Sequence, residues 1–145
     1  MIGIGGVSMS GIAEILKKWG FIVTGSDVAE SDTTRKLNLD GIHVVIGHDV
    51  KMVSKCDVVI YTAAIKQDDP EILKAKELGI PTIERAEFLG LITKAFDDTI
   101  CVSGTHGKTT TTSMISMCFL EAGLDPSIQV GATLKCINRK LSNWK

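Results

Sequence analysis

The sequence predicts an α/β protein, a Rossmann-like doubly wound parallel sheet, and three observations carry that expectation. Apolar runs of strand length alternate with stretches of helical spacing from residue 2 to residue 96. A glycine-rich turn, "GIGGVSMSG" at 3–11, joins the first run to the first helix, as the leading βα junction of such a fold requires. The composition supports a packed core, with 44% of residues apolar and a mean hydropathy of +0.21, well clear of a disordered chain.

The elements follow in order. "IGI" (2–4) begins a strand with almost no lead-in, where a buried parallel strand usually takes about 5–6 residues. Ile12, Ile15, Leu16 and Trp19 recur at helical spacing, and Gly20 stops that helix. "FIVTG" (21–25) reads as the second strand. "SDTTRKLNLDG" (31–41) reads as a short helix capped by Ser31 or Asp32 and closed by Gly41. "HVVIG" (43–47) and "DVVIYTA" (57–63) are strands. Asp69 caps the next helix, Pro70 suits its first position, and Gly79 closes it. "IPTIE" (80–84) is a fifth strand and "AEFLGLITKAF" (86–96) a helix.

"DDT" (97–99) is a polar break. Beyond it "ICVSG" (100–104) predicts a new strand, followed by a second glycine loop and a helix over 108–122 that ends at Gly123. "PSIQVGATL" (126–134) reads as one more strand, and "KCINRKLSNWK" has no obvious partner element. The expected organisation is a complete first domain, 1–96, and the opening βα unit of a second, 97–145, with the chain ending just inside that second domain.

Composition excludes several classes. In 145 residues Lys and Arg number 16 against 17 Asp and Glu, a net charge of −1. There is no basic stripe or aromatic-basic interleaving, so no nucleic acid is expected as main partner. No apolar run approaches the roughly 20 residues of a membrane helix, and the N-terminus does not read as a signal peptide. No membrane insertion and a cytoplasmic location are expected. Cys56, Cys101, Cys118 and Cys136 form no C-x-x-C pair and read as reduced core thiols, with a zinc site or disulfide set as the alternative.

The first glycine loop offers Gly3, Gly5 and Gly6 where strand becomes helix, a geometry that lets backbone N–H groups approach a diphosphate. Gly11 lies in the following helix, where a missing side chain favours close packing on the sheet. Asp27 stands about 20 residues on, where such folds hydrogen-bond a ribose. Ser8 replaces the third glycine of G-x-G-x-x-G. On these residues alone a nicotinamide or flavin site, another nucleotide diphosphate, and a structural turn all remain open.

The second loop, "CVSGTHGKTTTT" (101–112), carries Gly107-Lys108-Thr109 as in G-x-x-x-x-G-K-[ST]. Val102 stands in the first-glycine position, and Gly104 supplies the turn instead. N–H groups of 104–109 can surround a β-phosphate, Lys108 can reach β/γ oxygens, and the Thr109 hydroxyl can ligate Mg²⁺. The following helix adds its dipole. His106 reads as loop-shaping rather than as a catalytic base, and the four threonines could also be a mere polar helix start.

Joined, "GIGGVSMSG" and "GTHGKTTTT" resemble the Mur ligases. "VTGSD", "VIGHD", "VVIYTAAI" and "GIPTIERAEFLGLI" match in the same order, from residue 2 to about 122. The resemblance implies that 1–96 is a UDP-substrate-binding domain and 97–145 the start of a P-loop ATPase domain. It implies UDP-N-acetylmuramate and L-alanine as substrates, with ATP and Mg²⁺, joined through an acyl phosphate as the first step of a peptidoglycan stem. By resemblance Gly5, Gly6, Ser8, Met9 and Ser10 line the diphosphate. Asp27, His48, Thr62, Ala63, Ala64 and Ile65 border the uridine and sugar, although each could also be local packing or turn capping. Gly104, Thr105, His106, Gly107, Lys108, Thr109 and Thr110 hold ATP, with Lys108 catalytic and Thr109 on the metal. No residue reads as a general base. This chain departs from the family in having only Met1 before "IGIGG" and one glycine in "VGATL". The acidic Mg²⁺ ligands and the amino-acid domain are absent, so the chain alone is expected to make no peptide bond. A recycling branch that takes a preformed peptide, a stand-alone UDP-sugar-binding module and a nicotinamide-dependent dehydrogenase are the rival readings; the "GKT" loop counts against the last.

Overall fold

The computed structural model describes residues 1–130. The chain divides into two compact units, Met1–Asp97 and a second that begins at Asp98. Cys136 and the end of the strand expected over 126–134 lie outside the described residues.

The first unit runs α1 (Val7–Lys18), β1 (Thr24–Asp27), α2 (Asp32–Leu39), β2 (His43–Ile46), α3 (Val50–Val53), β3 (Val59–Tyr61), α4 (Pro70–Glu77), β4 (Thr82–Glu84) and α5 (Arg85–Thr93). β1 pairs with β2 and β3 with β4, both parallel. Ile2 joins the two pairs by parallel bridges to Ser26 and Tyr61. The order β2–β1–Ile2–β3–β4 places helical crossovers between short parallel strands, as in a Rossmann-like sheet.

The expected first strand shrinks to Ile2. Gly3 follows at φ +75°, which no strand accommodates, so the chain turns away after one bridging residue. Its backbone bonds still lock it centrally: Ile2 N–H donates to Ile60 O at 2.8 Å, and Ser26 N–H donates to Met1 O at 2.9 Å. The turn also sends Ile2 and Ile4 into different clusters, the first with Val53, Val59, Ile72 and Ala75, the second with Ala13, Leu37, Ile42 and Val44.

The second strand also departs from expectation. It is the small polar segment Thr24–Asp27, and Phe21 and Ile22 lie outside the sheet, with Ile22 98% exposed. Phe21 N–H still closes the end of α1 onto Leu16 O, so the chain enters the sheet only afterwards. Small residues are needed there: a Cβ on Gly25 would stand 2.6 Å from Ile4 Cδ1 and 2.7 Å from Met1 O.

Local capping agrees better. Ser31 and Thr34 form a capping box on α2, and Asp69 caps α4, with Pro70 at its start. The short α3, capped by Asp49, has no counterpart in the sequence reading. Trp19 packs on Phe96 with ring centroids 5.8 Å apart, fastening the end of the unit to α1.

In the second unit the described residues form α6 (Lys108–Glu121). The strand expected over 100–104 does not form, and residues 126–130 form none either. No parallel partner pairs with either apolar segment among the described residues, and an unpaired run cannot satisfy its backbone as a strand. Cys101 and Cys118 are exposed and Cys56 is half-buried, which corrects the expectation of core thiols. Among the described residues no helix is long and apolar enough to cross a membrane.

Candidate functional site

Because all five sheet segments run parallel, their carboxyl ends open on one edge. There the connections after Ile2, β1, β2 and β3 enclose a crevice of about 500 Å³. Gly3, Gly5 and Gly6 form one wall, Asp27, Val28, Ala29 and Ser31 another, and Gly47, His48, Thr62, Ala64 and Ile65 lie on the rim. This is where open α/β sheets take ligands.

The glycines of the first wall differ in their reasons. A Cβ on Gly3 would stand 2.4 Å from Thr62 Cγ2, and one on Gly5 2.8 Å from Asp27 Oδ2 and 2.9 Å from Thr34 Cγ2. A Cβ on Gly6 would meet nothing nearer than Gly3 O at 3.6 Å. Gly3 and Gly5 therefore serve the protein's own packing, whereas Gly6 leaves open room at the N-terminus of α1.

That N-terminus is uncapped. Gly6 is the N-cap of α1 and makes no side-chain cap hydrogen bond, and the first turn lacks an acidic residue. Side chains of Ser31, Asp49 and Asp69 cap α2, α3 and α4. Orphan N–H groups backed by the helix dipole suit an anion.

Asp27 turns toward the loop. Its Oδ2 accepts from Gly5 N–H at 2.7 Å, and Oδ1 lies 3.4 Å from the donor Ala29 N. The residue expected at a ribose thus also fixes the glycine wall. Thr62 closes a tight turn, accepting Ala64 N–H on its hydroxyl and Ile65 N–H on its carbonyl. Ala63, in that turn, is exposed and off the crevice wall.

Ser8, Met9 and Ser10 do not line the crevice. Met9 is buried in the core. Ser10 is buried as well, with its hydroxyl on Val7 O and its amide on Gly6 O. Ser8 accepts from Arg85 Nη1 at 3.1 Å.

Two residues here escaped sequence reasoning. Arg85, the first residue of α5, brings a guanidinium to the first turn of α1 across 77 residues of chain. Glu71, in the first turn of α4, is 3% exposed yet reaches the crevice. Its Oε2 accepts from Ser26 Oγ at 2.8 Å and lies 3.3 Å from His48 Nδ1. Asp69 Oδ2 lies 3.5 Å from the same ring nitrogen. A Pro-Glu pair after an N-cap reads as ordinary helix-start chemistry, which concealed Glu71. Arg85 opens an apolar helix and carries no local signal.

The second loop belongs to the second unit. Gly104, Thr105, His106, Gly107, Lys108, Thr109 and Thr110 are all exposed. Gly107 caps α6 at φ +78°, and no side chain bonds the helix start. Lys108 Nζ bends back to Gly104 O at 2.6 Å and to Thr105 O at 3.2 Å. Thr109 O accepts from Ser113 Oγ at 2.7 Å. A left-handed glycine, a lysine over the loop and an uncapped 14-residue helix together suit phosphate oxygens.

Comparison with known proteins sharpens these observations. Residues 1–97 match the model of the Mur ligase family, catalytic domain. The UDP-N-acetylmuramate–L-alanine ligase of Acetivibrio thermocellus is 54% identical over 136 residues, 94% of this chain and 29% of that protein. Among solved structures, the UDP-N-acetylmuramate-alanine ligase of Thermotoga maritima superposes with a TM-score of 0.79 at 32% identity, covering 84% of this chain and 29% of that one. The UDP-N-acetylmuramate:L-alanyl-gamma-D-glutamyl-meso-diaminopimelate ligase of Neisseria meningitides gives 0.85 at 33% identity, covering 93% and 43%. The chain spans about three tenths of the length of the curated relatives it matches.

Proposed function

The chain belongs to the Mur ligase family, and on that footing we propose that it is the UDP-substrate-binding part, with the opening of the ATP-binding part, of a UDP-N-acetylmuramate–L-alanine ligase. Residues 1–96 would hold UDP-N-acetylmuramate, and residues 97–145 would begin the ATP domain. The observation that carries this reading is the crevice, where the open space over Gly6 meets the uncapped first turn of α1. A diphosphate there would accept from first-turn N–H groups, with Arg85 close by as counter-charge. The T. maritima and N. meningitides relatives both name UDP-N-acetylmuramate. Identity to the alanine-adding enzyme of A. thermocellus favours L-alanine over a preformed peptide as acceptor.

In the reaction proposed, a muramate carboxylate oxygen bonds the γ-phosphorus of ATP and ADP leaves. The amine of L-alanine then attacks the acyl carbon and phosphate departs, leaving an amide. ATP with Mg²⁺ supplies the phosphoryl group. The second loop fits that cargo, since its N–H groups are uncapped and its lysine already sits over the loop. Lys108 would counter charge on the transferred group, and the Thr109 hydroxyl would give Mg²⁺ one of its oxygens. Catalysis on this plan is positioning and charge stabilisation.

Titration calorimetry of this chain with UDP-N-acetylmuramate, UDP and NADH tests the reading. One-to-one binding of the two uridine nucleotides, with none of NADH, is expected. No heat from UDP-N-acetylmuramate at millimolar concentration, or preference for NADH, would overturn it.

A further inference from the structure

Glu71 is a nearly fully buried carboxylate beside a ligand crevice, and the binding role proposed above does not use it. Burying a carboxylate is costly unless donors satisfy it. Here one oxygen, Oε2, takes Ser26 Oγ–H at 2.8 Å and faces His48 Nδ1 at 3.3 Å. Asp69 Oδ2 faces the same nitrogen from the cap of α4. A ring nitrogen that faces two carboxylate groups is matched as a donor, because carboxylate oxygens accept. With Nδ1 so occupied, Nε2 becomes the free hydrogen-bonding atom of a ring that is itself part of the crevice wall. Such a partner fixes tautomer and ring orientation together, as carboxylates do behind metal-bound histidines.

We propose that Glu71 is a positioning residue that holds His48 in the Nδ1–H form, so that Nε2 accepts a hydroxyl of the bound nucleotide sugar. The assignment rests on the crevice being the UDP-sugar site. It also supplies an acceptor that Asp27 provides less freely, because Asp27 already holds the glycine wall through Gly5 N–H. His48 meets the ligand. Glu71 acts only through His48, and Ser26 steadies Glu71.

The test has two arms. Long-range ¹H–¹⁵N spectra of the unliganded chain report which nitrogen of His48 carries the hydrogen. The wild type should show it on Nδ1. Glu71→Leu, which fills a similar volume and accepts nothing, should shift it toward Nε2, and Glu71→Gln, which keeps an acceptor oxygen, should restore it in part. A wild-type His48 protonated on Nε2 alone overturns the proposal even if Glu71→Leu fails to fold.

The second arm is binding. Glu71→Leu and His48→Ala should each weaken UDP-N-acetylmuramate about five- to tenfold, the worth of one hydrogen bond, and the double variant should be no weaker than either. Losses that multiply in the double variant would overturn the coupling. If UDP shows the same coupling, the hydroxyl is on the ribose; if only UDP-N-acetylmuramate shows it, the hydroxyl is on the sugar; coupling with neither overturns the proposal. Should wild type bind no uridine nucleotide at all, the proposed function falls, while the spectra still decide the role of Glu71.

Discussion

The two glycine loops are built by opposite means. The first is shaped by distant chain: Gly3 lies under Thr62, Gly5 under Asp27 and Thr34, and Arg85 reaches Ser8. Among the described residues the second is held by local bonds, with Lys108 bonded to carbonyls three and four residues back and Gly107 turning into α6. Both end at a helix whose N-cap is glycine and whose first turn no side chain caps. The shared part is the glycine-capped helix start; the differing part is the support. A loop held by a sheet edge is preorganised before ligand arrives, whereas a loop held by one lysine would have to exchange those bonds if, as proposed, the lysine took a phosphate.

The division of labour between the loops depends most on Lys108. In a chain completed to the length of its relatives, Lys108→Ala should cut single-turnover acyl-phosphate formation by roughly 10²–10³, with UDP-N-acetylmuramate affinity within about twofold. Thr109→Ala removes a neutral ligand that water partly replaces, so it should cost less and respond to added Mg²⁺. Equal losses of rate and UDP-substrate affinity in Lys108→Ala would show that the loops do not divide the work.

At the first loop, two glycines should separate stability from binding. Gly5→Ala puts a Cβ 2.8 Å from Asp27 Oδ2 and 2.9 Å from Thr34 Cγ2, an overpacking worth about 1–3 kcal/mol in urea denaturation. Gly6→Val has extended backbone and open space at Cβ, so the fold should tolerate it. Calorimetry should nonetheless show weaker UDP-N-acetylmuramate binding, because the side chain would stand where the proposed diphosphate approaches. Equal affinity in wild type and Gly6→Val would remove the diphosphate from that wall.

Much of the first unit was legible because its signals are local. Ser31 and Asp69-Pro70 announce helix starts, and glycines at 20, 41 and 79 take the positive φ that ends them. What escaped was set by tertiary contact. β1 has no side chain at 25 because Ile4 and Met1 press on Gly25, a pressure no apolar pattern reveals. Apolar Phe21 and Ile22 looked more strand-like than Thr24–Asp27. The site divides the same way: its glycines and His48 stood out by type and position, while Glu71 and Arg85 act across long sequence separations. In the second loop the lysine and glycines were legible, but 100–104 had strand composition without a pairing partner among the described residues.

The smallest effect probes why the second loop needs glycine at all. Nothing lies within 4 Å of a Cβ built on Gly107, so its requirement is the dihedral and not space. At φ +78° an alanine pays a left-handed penalty of about 1–2 kcal/mol, whereas asparagine visits that region routinely. Amide exchange in the first turns of α6 reads this locally, without a ligand. Gly107→Ala should lose protection about five- to thirtyfold, and Gly107→Asn no more than about threefold. The same pair at Gly5 should behave differently, because there asparagine is larger than alanine and meets the same walls, Asp27 and Thr34. If alanine and asparagine were equally harmful at Gly107, crowding would govern both loops and the contrast between a packed loop and a self-held one would fail.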